Sequence, residues 1–248
     1  MEQKYQFPTE EVTLPSKGLL YPEGSPLRKG VIEMKYMTAR EEDILTNQNY
    51  IANGTVIDKL IKSLIVTPID FNDLLVGDKN ALLVAARILG YGKNYSFDYN
   101  GETIEVDLTE IEDKPLDESL INKGKNEFSY VLPTLKKEIT FKFLTHKDEK
   151  AIDAELKGLK KINKNASADV STRLKHIITS VDGDYNKPSI RKFVDNQLLA
   201  IDSRALRKYI TEIQPDTNLV FKHEVKNGDF IDINIPINLN FFWPDATV

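Results

Sequence analysis

The chain has 248 residues, 33 basic and 38 acidic, giving a net charge of −5, and it contains no cysteine. Disulfides, thiol catalysis and cysteine-based metal centres are excluded, and the acidic balance argues against a general nucleic-acid binder. Hydrophobic content of 41% with 29% charged residues fits a water-soluble globular chain, whose length falls between one domain and two. The opening MEQKYQF lacks the apolar stretch of a signal peptide, and no apolar run approaches the ~18 residues of a membrane span. An intracellular protein with no membrane partner is expected.

Residues 1–30 carry Pro8, Pro15, Pro22 and Pro26 among Gly18, Gly24 and Gly30, a spacing that leaves no room for a helix. Apolar residues from Phe7 to Tyr21 recur along it, so an extended N-terminal arm lying against a surface is expected. Leu14, Pro15, Leu19 and Tyr21 are its candidate partner contacts. Residues 31–37 read as a strand, and Thr38-Ala39-Arg40-Glu41 as a capping box that opens a helix to about Thr46. A second helix follows Asn53-Gly54-Thr55, with Val56, Ile57, Leu60, Ile61 and Leu64 on one face. Asp78 is read as the cap of a buried helix over 79–89, stopped by Gly90, in which Arg87 must snorkel out or pair with a carboxylate.

The strongest local signal is YSFDYNGETIEVD, residues 95–107, where Asn100-Gly101 predicts a two-residue hairpin turn. Its register sets Phe97 opposite Ile104 and Tyr95 opposite Val106. An acidic connector, 108–127, leads to a strand over 139–144 and a helix opened by Thr145-His146-Lys147-Asp148, which ends in lysines as far as Lys164. Leu174, Ile177, Ile178 and Val181 predict another helix, ended by Asp182-Gly183; Ile190, Phe193, Val194 and Leu198 mark a third. Asp202 caps a fourth that Pro215 terminates. Asn227-Gly228 turns a second hairpin, and the chain finishes on Phe241-Phe242-Trp243, large rings of the kind that anchor interfaces.

The halves repeat one another. MKYMTAREED at 34–43 aligns with FKFLTHKDEK at 141–150, an offset of 107. Ile57, Leu60, Ile61 and Leu64 align with Leu174, Ile177, Ile178 and Val181, Asp78 with Asp202, and Asn100-Gly101 with Asn227-Gly228, as the offset grows to 127. Leu14-Pro15-Ser16 likewise matches Leu132-Pro133-Thr134. The expected fold is α+β with two similar lobes, each strand–helices–β-hairpin. The arm occupies 1–30, the first lobe 31–127 and the second 128–248.

Reactive motifs are absent. No GxxxxGK[ST], GxGxxG after a strand or GxSxG occurs, and Gly90-Tyr91-Gly92 follows a helix. The three histidines, His146, His176 and His223, fall in different elements, leaving a histidine/carboxylate enzyme as the least favoured reading.

Several segments resemble one phage family. They include LPSKG with Tyr21-Pro22, MTAREEDIL at 37–45, GTVIDKL at 54–60, GDKNA at 77–81 and AARILGYG at 85–92. Leu144-Thr145-His146, RLKH at 173–176, DSRALR at 202–207 and FFWPD at 241–245 continue the likeness over nearly the whole chain. It is similar to the baseplate hub protein family of T4-type contractile-tailed bacteriophages. The resemblance implies a non-enzymatic hub subunit, or a hub-assembly chaperone absent from the mature virion. The partners implied are other baseplate hub and tail proteins, with no nucleic acid and no small-molecule substrate. The location implied is the host cytoplasm during assembly and the tail baseplate afterwards. Members often carry a cysteine-pair knuckle on a hairpin; both hairpin turns here lack cysteine, so no metal and no cofactor is expected. Leu14, Pro15, Leu19, Tyr21, Phe241, Phe242 and Trp243 are the candidate contacts.

Overall fold

Pro8, Pro15 and the glycines that follow break the chain into a strand and turns, and the strand finds a partner at once. Thr9–Thr13 (β1) lies antiparallel to Val31–Lys35 (β2), with Val12 opposite Ile32. The loop between them closes by a Leu14 amide to Gly30 carbonyl bond of 2.8 Å and buries Leu14, Leu20 and Leu27. Residues 9–30 are thus half of a hairpin and part of the core. The expected arm lies against its own chain, which buries its apolar residues Leu14, Leu20 and Leu27. This computed structural model describes residues 8–162, 168–224 and 228–243; expectations resting on Phe7, Lys164, Asn227, Pro244 and Asp245 lie outside them.

Short helices follow, Ala39–Leu45 (α1), Gln48–Ala52 (α2) and Val56–Leu64 (α3), the last burying Val56, Leu60, Ile61 and Leu64 on one face. The central helix Val76–Tyr91 (α4) begins before Asp78 and runs through Gly90 to its C-cap Gly92, whose φ of 81° only glycine adopts freely. Arg87 in α4 neither snorkels nor meets a carboxylate. It donates to the carbonyls of Gly92 (2.9 Å) and Asn94 (3.0 Å) and lies against the rings of Tyr91 and Tyr95. The hairpin Asn94–Tyr99 (β3) and Glu102–Asp107 (β4) has the expected register, Tyr95 to Val106 and Phe97 to Ile104, around Asn100-Gly101.

In the second half, Phe128–Val131 (β5) pairs with Glu138–Phe141 (β6), which also pairs with Ile178–Val181 (β7). The helix expected through Val181 therefore ends early. His146–Ile162 (α5) and Asp169–Ile177 (α6) precede β7, and the β-branched run from Ile178 takes up the sheet edge. Lys187–Asn196 (α7) and Ala200–Ile213 (α8) follow, with Asp202 inside the first turn of α8. The final hairpin joins Val220–Glu224 (β8) to Phe230–Asn234 (β9), with Glu224 opposite Phe230. Leu239–Phe242 (α9) ends the described chain and packs on α4.

The result is a mixed α+β protein of small antiparallel sheets with helices laid between them. A contiguous core cluster includes Leu14, Ile32, Leu60 and Leu82 from one half with Phe141, Leu206 and Phe241 from the other, so the halves share one interior.

Candidate interaction surface

Polar groups with strong geometry are directed inward. Thr38 and Glu41 form the expected capping box, and the buried Glu41 also takes the ammonium of Lys35 at 2.8 Å. Thr145 and Asp148 repeat it, with Lys142 at 2.7 Å from the Asp148 carboxylate. In both acids burial opposes ionisation, but the lysine and threonine donors outweigh it and hold the pKa below its ordinary value.

Two further carboxylates lie deep in the first turns of their helices. Asp78 accepts from the Ser16 amide (2.9 Å), the Ser16 hydroxyl (2.6 Å) and the Tyr21 hydroxyl (2.6 Å). Burial pushes its pKa up to about 6 against those three donors, and pushes the Tyr21 phenol up as well. Asp202 accepts from the amides of Thr134 (2.8 Å) and Leu135 (3.0 Å); burial works against its ionisation, but the amides prevail and its pKa is lowered. Each aspartate clasps the Leu-Pro loop that precedes its half.

The halves meet along a short backbone seam. Val76 donates to the Leu144 carbonyl (3.0 Å), His146 donates to that of Leu74 (2.8 Å), and Leu75 bridges Thr145. Gly77 is required here, because a β-carbon on it would come within 1.9 Å of the Pro215 carbonyl oxygen. The His146 ring is buried edge-on to Phe71, their centroids 4.6 Å apart, and Nε2 lies 3.3 Å from Asp58 without hydrogen-bond alignment. Burial holds its pKa down, opposed by Asp58 and assisted by Lys79 and Lys62.

The seven expected contact residues do not form a surface. Leu14, Pro15, Tyr21, Phe241 and Phe242 are buried, while Leu19 and Trp243 are half-buried. Tyr21 is held by Asp78; Phe241 packs edge-on to Tyr95 (4.8 Å) and Phe242 (5.0 Å). In this conformation packing within the chain uses the area of the five buried positions. The histidines are also apart in partnership: His146 faces Asp58, His176 meets Glu155 at 3.1 Å, and His223 stands beside Phe221 on β8.

The exposed apolar side chains are others. Val170, Leu199 and Ile201 face solvent, and Val170 with Ser171, Leu198 and Ala200 lines a cavity of about 350 Å³ between α6 and α8. A cleft of about 320 Å³ opens at the seam itself, where Arg173 and Arg207 border Leu75, Val76 and Pro215. Sequence periodicity passed over Leu199 and Ile201, because an apolar residue at a helix start reads as core. No described helix is long and apolar enough to cross a membrane. Comparisons with known families, curated proteins and solved structures found no match to this chain.

Proposed function

We propose that the chain is a non-enzymatic component of a phage tail baseplate hub, acting through protein–protein contacts with other hub and tail proteins. The sequence resemblance carries this reading, and the distribution of polar and apolar groups supports it. The acids with strong geometry accept hydrogen bonds from their own chain, while large apolar side chains such as Leu199 and Ile201 face solvent. Its place is then the host cytoplasm during assembly and the baseplate of the finished virion.

The duplication belongs to the same proposal: the chain is two copies of one unit. Lys35, Thr38 and Glu41 stand in the same mutual contacts as Lys142, Thr145 and Asp148. Ser16 meets Asp78 as Thr134 meets Asp202, and Leu82 and Leu206 are both buried one turn on. Leu108 donates to Lys93 across one hairpin base and Ile235 to Leu219 across the other. The bridges of Met34 to Ile65 and Phe141 to Ile178 register Ile65 with Ile178, four residues from the sequence-based alignment.

Peptide mass spectrometry of purified virions tests the hub reading. Peptides of this chain are expected at stoichiometric level, and their absence from infectious particles transfers the chain to the assembly-chaperone class.

A further inference from the structure

At the seam the first unit holds a template. Residues 74–76 pair with 144–146, and the first turn of α5 sinks His146 among Phe71, Asp58 and Lys79, which itself stands 3.2 Å from Asp58. Leu75 is 3% exposed and Phe143 5%, both at the edge of the 320 Å³ cleft that opens on the seam.

The second unit carries the same seat without its occupant. The helix N-caps Leu75 and Leu199 correspond, as do Asp78 and Asp202; Leu74, Val76 and Lys79 then fall on Leu198, Ala200 and Ser203. The bridged pair Ile65 and Ile178 places Asp58 on Ser171. Ser171, Leu198, Ala200 and Ser203 all line the 350 Å³ cavity. Flanking the lining residues Leu198 and Ala200 in sequence, Leu199 is 41% exposed and Ile201 64%, where their counterparts Leu75 and Gly77 are buried.

The plug is also present, its Tyr36 hydroxyl donating to Glu10 (3.0 Å) and its Glu42 carboxylate accepting from the Tyr91 hydroxyl (3.1 Å). Thr38-Ala39 of α1 corresponds to Thr145-His146, with the same capping box behind it, yet Ala39 and Arg40 face solvent and Tyr36 is 37% exposed. Charges on the two sides are complementary. Arg40 on the turn faces solvent, as does Asp169 on the cavity rim, and Glu42 next to it has the exposed Arg204 of α8 as its opposite.

We infer that the cavity between α6 and α8 receives the Tyr36–Glu42 turn of a second copy of this chain, joining copies head to tail. The inference rests on the duplication reading and is independent of the baseplate setting. The contact is heterologous, so it propagates as an open chain or closes into a ring according to the rotation between copies. It is also smaller than the internal seam. Ile201 stands where Gly77 admits the Pro215 backbone, so the incoming copy is held off that edge and contacts the cavity side alone. Association is therefore weak and concentration-dependent.

Sedimentation velocity of the full chain from about 1 μM to about 1 mM, spanning weak protein affinities, reads this out. Mass is expected to rise past the dimer with concentration. Ala39→Arg removes the plug and Val170→Asp the seat; both positions are exposed, and Val170 lines the cavity, so circular dichroism should show the fold unchanged. Each variant alone is expected to stay monomeric. An equimolar mixture of the two retains one good plug and one good seat and should stop at a heterodimer. A monomeric wild type throughout overturns the inference. So does association that only Val170→Asp abolishes, which would give the cavity to another occupant and remove the duplication argument for the plug. Virion mass spectrometry separately decides the hub reading.

Discussion

Asp78→Ala removes the acceptor of three donors in a fully buried site. A buried donor left without a partner costs about 1–3 kcal/mol, so three give roughly 6 kcal/mol at mid-range. Against this stands the cost of burying the carboxylate, visible in the rise of its pKa from 3.8 to about 6. At 1.36 kcal/mol per pH unit that cost is about 3 kcal/mol, and the alanine relieves it. The expected loss at pH 7 is therefore about 3 kcal/mol. Asp202→Ala is the internal control. Its two donors are the amides of Thr134, which is exposed, and Leu135, which is half-buried, so water replaces the carboxylate and the loss is smaller. Urea unfolding followed by circular dichroism, with the slope held common, ranks the two variants. An Asp78→Ala loss below about 1 kcal/mol, or an Asp202→Ala loss equal to it, refutes the reasoning.

The same pKa sets a pH signature. Because the folded pKa of Asp78 is raised, its contribution is full below pH 3.8 and is lost as pH rises through about 6. The stability difference between wild type and Asp78→Asn should fall across that window; a flat difference in thermal midpoints from pH 4 to 7 contradicts it. Gly77→Ala should open the seam, since its β-carbon meets the Pro215 carbonyl, with a loss of about 3 kcal/mol in urea unfolding and new exchange at the amides of Val76 and His146. His146→Leu should raise stability by about 1 kcal/mol at pH 7, because both ring nitrogens are buried without a hydrogen bond; a clear fall in thermal midpoint would show that the contact with Asp58 is a net gain.

The capping boxes and the first hairpin were legible because their chemistry is local. Thr38 with Glu41 and Asn100-Gly101 need only neighbours in sequence, and register followed from the turn. Helix starts were misread where the signal was an aspartate. Asp78 and Asp202 look like caps, but their carboxylates reach loops 62 and 68 residues away, and the caps are the featureless Leu75 and Leu199. Leu174, Ile177, Ile178 and Val181 satisfy helical spacing, yet Ile178 and Ser180 are buried two apart, the period of β7. Both readings fit the sequence, and only pairing with β6 selects one. The aromatic end and the Leu-Pro loop pointed outward only because single-chain periodicity cannot say whose surface an apolar residue covers.

The exposed apolar residues are unevenly shared between the halves. Of the eleven large hydrophobics that face solvent among the described residues, eight lie beyond residue 128. On the duplication proposed above, equal copies would expose equal faces; the second half covers the first at Leu75, Gly77 and the seat of His146. The corresponding positions of the second half, Leu199 and Ile201, are 41% and 64% exposed. Solvent exposure of such apolar positions carries a standing free-energy gain for whatever covers them, and on the proposed duplication the surface offered there is the counterpart of one that the interior already uses.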